Sequence, residues 1–146
     1  MPEQTNVPNE SGFALPDDPS LEQIQELFAN DRFATVAAGC RVVEGSRGRA
    51  VCEMDVTPVH RNAMGNVMGG AIFTLADFAL AVACNIGEPP TVSIDSNISF
   101  FRASAGSRLT AVAVVEKPGR HAAFYSIRVT DDLGKEIARM TATCYR

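Results

Sequence analysis

Asp77 stands inside the most apolar stretch of this 146-residue chain, and groups that could work with it lie just before it. The segment Asn62-Ala-Met-Gly65-Asn-Val-Met68-Gly69-Gly70-Ala-Ile-Phe-Thr74-Leu-Ala-Asp77 reads as a polar, glycine-punctuated loop running into a helix that is apolar on nearly every side. A lone carboxylate among apolar groups costs several kcal/mol unless it is paired, hydrogen-bonded or protonated. Glycines at a helix start leave backbone N–H groups uncovered, and such groups bind negative oxygen. Donors at a helix entrance with a carboxylate two turns downstream suit attack of water on a carbonyl. The donors would hold the oxyanion and the carboxylate would hold the water.

Projected at about 100° per residue, Gly70, Thr74, Asp77, Ala81 and Cys84 fall on one narrow stripe, with Ile72, Leu75, Ala79, Val82 and Ile86 opposite. A tight packing seam with Asp77 in a structural hydrogen bond explains that spacing as well as a reactive site does. Arg61, beside Asn62, could also neutralise Asp77 structurally.

Hydrophobic periodicity predicts the elements that must position these groups. Ser20 with Gln23 forms a capping box ahead of Leu21, Ile24 and Phe28, so a short amphipathic helix is expected over 21–29. Strands follow at Phe33–Val43 and Arg47–Val56, the second with Arg47, Arg49, Glu53 and Asp55 on one face. The central helix spans 70–86 and stops before Gly87 and Pro89-Pro90. Four further strands are expected at 91–101, 108–116, 120–130 and 135–145, the last four pairing antiparallel. In the first of them Ser93, Asp95 and Asn97 share a polar face. A helix this apolar must be covered all round. The order therefore predicts an α+β fold, one antiparallel sheet curled around a long central helix, with leftover sheet edges that favour dimerisation. Residues 1–19, rich in Pro, Asn, Glu and Asp, read as a flexible tail before a single domain at 20–146.

A net charge of −4 argues against nucleic acid as the main partner. The charge is uneven: residues 1–32 carry seven acids and one Arg, residues 101–146 eight bases and four acids. The basic third could meet an anionic small molecule or simply be a solvated surface. Cys40, Cys52, Cys84 and Cys144 form no C-x-x-C pair and read as buried small hydrophobes of a reducing compartment. With only His60 and His121, no metal site is expected. The start lacks a secretory signal, and the longest apolar run, Ala71–Ile86, is short for a membrane span and carries Asp77. A cytoplasmic protein with no membrane partner is the expectation.

Asn62-x-x-Gly65-x-x-Met68-Gly69-Gly70 followed by Leu75-Ala76-Asp77 resembles the signature of hotdog-fold acyl-CoA thioesterases of the phenylacetic-acid-degradation type. That signature is Asn-x-x-Gly-x-x-His-Gly-Gly with a catalytic Asp or Glu further along the helix. Residues 92–106 and 117–124 are similar to the family's strand pattern, and the resemblance spans roughly 33–145. It implies a hotdog fold and hydrolysis of acyl-CoA to free acid and coenzyme A, with no cofactor beyond coenzyme A as part of the substrate. It implies Asp77 as general base or, less favoured, nucleophile, and Asn62 as the group placing water or thioester. It also implies the Gly69 N–H as oxyanion donor, Ser93 as a hydroxyl orienting the water, and a site shared between subunits of a homodimer or homotetramer. Ser93 also reads as an outward-facing hydroxyl, which the strand pattern slightly favours. Met68, Gly70 and Thr74 would line the substrate, and Arg102, Lys117 and Arg120, near turns at strand ends, could hold coenzyme A phosphates. Surface charge is the more common explanation for any one of those three. Met68 departs from the family's His. The backbone donor survives the change but a polar side chain is lost, so a non-catalytic acyl-CoA binding or sensing protein is the second reading. A hotdog dehydratase or hydratase ranks last, since no His is placed for it, and His60 reads first as a loop histidine.

Overall fold

The computed structural model describes residues 13–146. Helix α1 covers Leu21–Phe28. Its start is fully capped: Ser20 Oγ accepts the Gln23 N–H at 3.1 Å, and Gln23 Oε1 accepts the Ser20 N–H at 2.8 Å. Ile24 and Phe28 are its buried residues. Phe28 meets Phe78 of the central helix edge-on at 6.0 Å between ring centroids.

The strand expected at Phe33–Val43 is only half there. Phe33–Ala37 is a single π-helical turn, and strand β1 begins at Cys40 and ends at Ser46. Local hydrogen bonds outweigh the β propensity of Phe33, Thr35 and Val36. The Thr35 N–H and hydroxyl both donate to the Asp31 carbonyl, at 3.0 and 2.8 Å, and the Ala38 N–H closes the turn onto Phe33. Gly39 at φ +75° then redirects the chain, a conformation that suits glycine.

The other strands are β2 (Arg49–Asp55), β3 (Val92–Phe100), β4 (Arg108–Lys117), β5 (Ala122–Asp131) and β6 (Glu136–Tyr145). They form one antiparallel sheet in the order β1-β2-β4-β5-β6-β3. The expected antiparallel pairing is present, but β3 does not pair with β4. It crosses to the far edge and lies against β6. Helix α2 (Gly69–Asn85) packs across the sheet with Leu75, Ala79 and Val82 fully buried. Asn85 fastens its end: its Oδ1 accepts the Thr91 N–H at 2.8 Å and its Nδ2 donates to the Thr91 carbonyl at 3.1 Å. No helix among the described residues is long and apolar enough to cross a membrane.

The sheet does not cover α2 all round. Thr74, Asp77 and Ala81 remain half-buried and Gly70 is exposed, so the small, polar stripe is the open side of the helix. Of the expected tail, residues 1–12 lie outside the described residues. Residues 13–19 run along the domain, with Pro19 buried and Leu15 against the core.

Candidate functional site

Asn62 makes the loop before α2. Its Oδ1 accepts the Met64 and Asn66 N–H groups at 3.0 and 3.1 Å, and the Gly65 N–H donates to its carbonyl at 2.9 Å. Gly65 takes φ +83°, where a side chain would be strained. Arg61 donates to the Gly65 carbonyl at 2.9 Å, so it braces this loop and does not neutralise Asp77. His60 is structural as well. It is buried, its Nδ1 accepts the Thr57 N–H at 2.9 Å, and its Nε2 lies 2.6 Å from the Ala38 carbonyl. That arrangement assigns the proton to Nε2.

Met68 is the residue before the first turn of α2 and supplies no side-chain cap. Among the described residues, the Gly69 and Gly70 N–H groups find no acceptor, and the first turn contains no acid. The contrast with the complete cap of α1 is informative, since orphan donors at a helix start bind negative oxygen. A Cβ on Gly69 would sit 3.1 Å from the Phe100 ring, so glycine also allows β3 to close in beside the donors. Thr74 spends its hydroxyl on the Gly70 carbonyl at 2.8 Å.

Asp77 lies two turns along the same open stripe. Among the described residues, neither an ion pair nor a hydrogen bond reaches its carboxylate. Burial pushes its pKa above the ordinary aspartate value, and the charge of Asp31 adds to the rise. Asp31 lies in the link between α1 and the π-helical turn, and nothing in the sequence pattern of α2 points to it.

Ser93 changes face. A β-bulge at Ile94 shifts the register between β3 and β6: Ser93 opposes Cys144, whereas Asp95 opposes Thr143. Directly opposed residues of an antiparallel pair share a face. Ser93 therefore points to the helix side with buried Cys144, and Asp95 and Asn97 to the outer side. The expected common face of the three is corrected by that one extra residue, while Ser93 itself remains exposed at the free edge of the sheet.

The three basic candidates are not together. Arg102 joins Asn66, Val67, Gly69 and Phe101 around a cavity of about 340 Å³ at the start of α2. Arg120 lines a cavity of about 420 Å³ with Glu88, Pro118 and Arg146, beyond the other end of the helix, and Lys117 ends β4 nearby. A 17-residue helix is about 25 Å long. Within one chain these ends cannot grip the same phosphate. The four cysteines are buried free thiols; burial pushes Cys40 up to about 12 and raises Cys52 as well, which leaves neither reactive.

Residues 64–138 match the Thioesterase superfamily. The chain is 34% identical over 125 residues to human acyl-coenzyme A thioesterase 13, covering 82% of this chain and 89% of that one. It is 33% identical over 121 residues to the Escherichia coli acyl-coenzyme A thioesterase PaaI, covering 82% and 86% respectively. The solved structure of the Escherichia coli PaaI protein superimposes with a TM-score of 0.76 at 29% identity, covering 87% of this chain and 96% of that one. The six-stranded antiparallel sheet wrapped on α2 is thus the hotdog fold, and the chain belongs to the thioesterase superfamily as a PaaI-type member.

Proposed function

We propose that the protein hydrolyses acyl-CoA thioesters, with Asp77 as the general base that activates water and the Gly69 N–H as the donor to the oxyanion. The observation that carries this is that each chain presents both halves of such a site on the open side of α2, an unneutralised carboxylate of raised pKa and, separately, an uncapped helix start, so that two chains can complete what one cannot. A base of elevated proton affinity suits proton abstraction near neutrality. Within one chain Asp77 and Gly69 lie about 12 Å apart along the helix axis, too far to act on one carbonyl. A partner subunit supplies the answer: Asp77 of one chain faces the helix start of the other.

The exposed edge of β3 supports that assembly. Val92 and Ile94 are 64% and 63% exposed, and Met64 and Met68 beside the site are 80% and 55% exposed. Apolar groups on an unpaired edge strand favour pairing with a second copy. Val114 and Phe124 on the outer sheet face support a further pairing of dimers into a tetramer. Across that interface Arg102 of one chain and Lys117 or Arg120 of another become available to the phosphates of a single coenzyme A. Asn62 positions the loop, Ser93 the water, and Met68, Gly70 and Thr74 line the approach. Four free thiols support a reducing cytoplasmic setting.

Free-thiol release from a panel of short, medium and aryl acyl-CoA substrates tests the reading. Turnover is expected with at least one; release from none would favour an acyl-CoA binding protein. The pH profile gives a second check. Since the Asp77 pKa is raised, kcat/KM should fall on acidification with a midpoint above the ordinary aspartate range. A midpoint at the ordinary value would remove Asp77 from the role.

A further inference from the structure

A groove of about 640 Å³ continues the open stripe away from the helix start. Ala81, one turn beyond Asp77, and Asn85 form one wall; Leu27, Phe28, Asn30 and Asp31 form the other. Phe13 closes on Phe28 edge-on at 6.1 Å between ring centroids. The size falls in the range of small-molecule sites. Most polar atoms along it are already used. Asn85 bonds Thr91 and the Ala81 carbonyl, Thr91 donates its hydroxyl to Pro89, and Asn30 donates to the Leu27 carbonyl. What remains along the lining is apolar surface, the rest of the Asn30 amide and one charge, the Asp31 carboxylate; Arg146 reaches the Thr91 hydroxyl at 3.3 Å, but its guanidinium is held by the Gly119 carbonyl and Glu88. Among the described residues no cation lies within ion-pair distance of Asp31.

We infer that this groove receives the acyl group, and that Asp31 on its wall selects uncharged acyl chains over those ending in a carboxylate. The inference rests on the thioesterase reading and adds its substrate class. A thioester whose carbonyl lies beside Asp77 has its acyl tail directed along the stripe towards Ala81, which is where the groove opens. An acyl chain ending in a carboxylate would bring a third negative charge near Asp31 and Asp77, neither of which is paired with a cation among the described residues. That arrangement costs transition-state binding. A methyl end, a ring or a hydroxyl donor meets no such repulsion.

Hexanoyl-CoA and adipyl-CoA have the same chain length and differ in the terminal carboxylate, so the ratio of their kcat/KM values by thiol release isolates the charge. Wild type should favour hexanoyl-CoA at least tenfold, and Asp31→Asn should cut that ratio by about tenfold. Asp31 also acts on Asp77, but that effect is common to both substrates and cancels in the ratio. Ala81→Phe, which fills the groove, should lower the hexanoyl-to-acetyl ratio by tenfold or more, and Leu27→Trp on the opposite wall should do the same. An unchanged hexanoyl-to-adipyl ratio in Asp31→Asn overturns the selectivity. Equal losses on acetyl and hexanoyl substrates in both filling variants overturn the groove assignment. Absence of thiol release from every substrate by wild type overturns the hydrolytic reading alone, and the same ratios are then measured as Kd values by calorimetry.

Discussion

Asp77→Asn should lower hydrolysis of the best acyl-CoA by about 10²- to 10⁴-fold, the span that general-base catalysis contributes, with fold and oligomeric state unchanged. The amide keeps the size of the carboxylate and cannot take the proton from water. The same variant should be more stable than wild type at pH 7. Asp77 has its pKa raised by burial and then by Asp31, so its ionised form is disfavoured in the folded chain. A raised carboxylate contributes stability below its unfolded pKa and loses it as pH climbs through the folded value. At neutral pH the ionised group is therefore a liability that Asn removes; near pH 3, where both states hold the proton, the two proteins should melt alike. Circular dichroism melts at the two pH values read the difference. A variant with full turnover, or one less stable at pH 7, contradicts the assignment.

Ile94→Lys should separate the subunits and with them lose activity, by about 100-fold or more if each site needs two chains. Ile94 is the bulged residue of β3, 63% exposed in the isolated chain. Lysine on an edge strand is a common natural device against edge pairing, and on an exposed position it costs the monomer's own fold little. Size-exclusion chromatography with light scattering should show the lighter species, and circular dichroism an intact fold. A monomer that still turns over substrate would place the whole site in one chain.

The proposed machinery is legible in the sequence because it is local. Asn62, Gly65, Gly69, Gly70 and Asp77 lie in one loop and one helix, and the apolar period of α2 sets Asp77 on its stripe without reference to the sheet. What crosses between elements is harder to read. Alternation runs unbroken through Ile94 in the sequence and sets Ser93, Asp95 and Asn97 on one face, and only pairing with Cys144 and Thr143 reveals the extra residue that separates Ser93 from the other two. β3 was expected beside β4 because they adjoin in sequence, whereas its hydrogen bonds go to β6 at the far edge. Phe33–Ala37 carries β-forming residues, yet Thr35 spends its N–H and hydroxyl on the Asp31 carbonyl, and the segment folds as a turn. That turn follows Asp31, the carboxylate that acts on Asp77. Arg102, Lys117 and Arg120 looked alike as basic residues near strand ends, and only the length of α2 separates them.

Met68 also reads differently once the helix start is in view. The donors assigned to the oxyanion are the backbone N–H groups that follow it, and no acceptor competes for them among the described residues. On the proposed reading, Met68 in place of the His of the signature the chain resembles leaves those backbone donors in place and removes a polar side chain beside them.

The division of the site between chains is tested most directly by complementation. Asp77→Asn and Gly69→Val proteins, each inactive alone, are mixed, dissociated and reassembled. If Asp77 of one chain serves the helix start of the other, mixed dimers hold one intact site, and a random mixture should regain about a quarter of wild-type activity. Activity that stays at the level of the separate variants, in a sample shown to contain mixed dimers, would contradict the account.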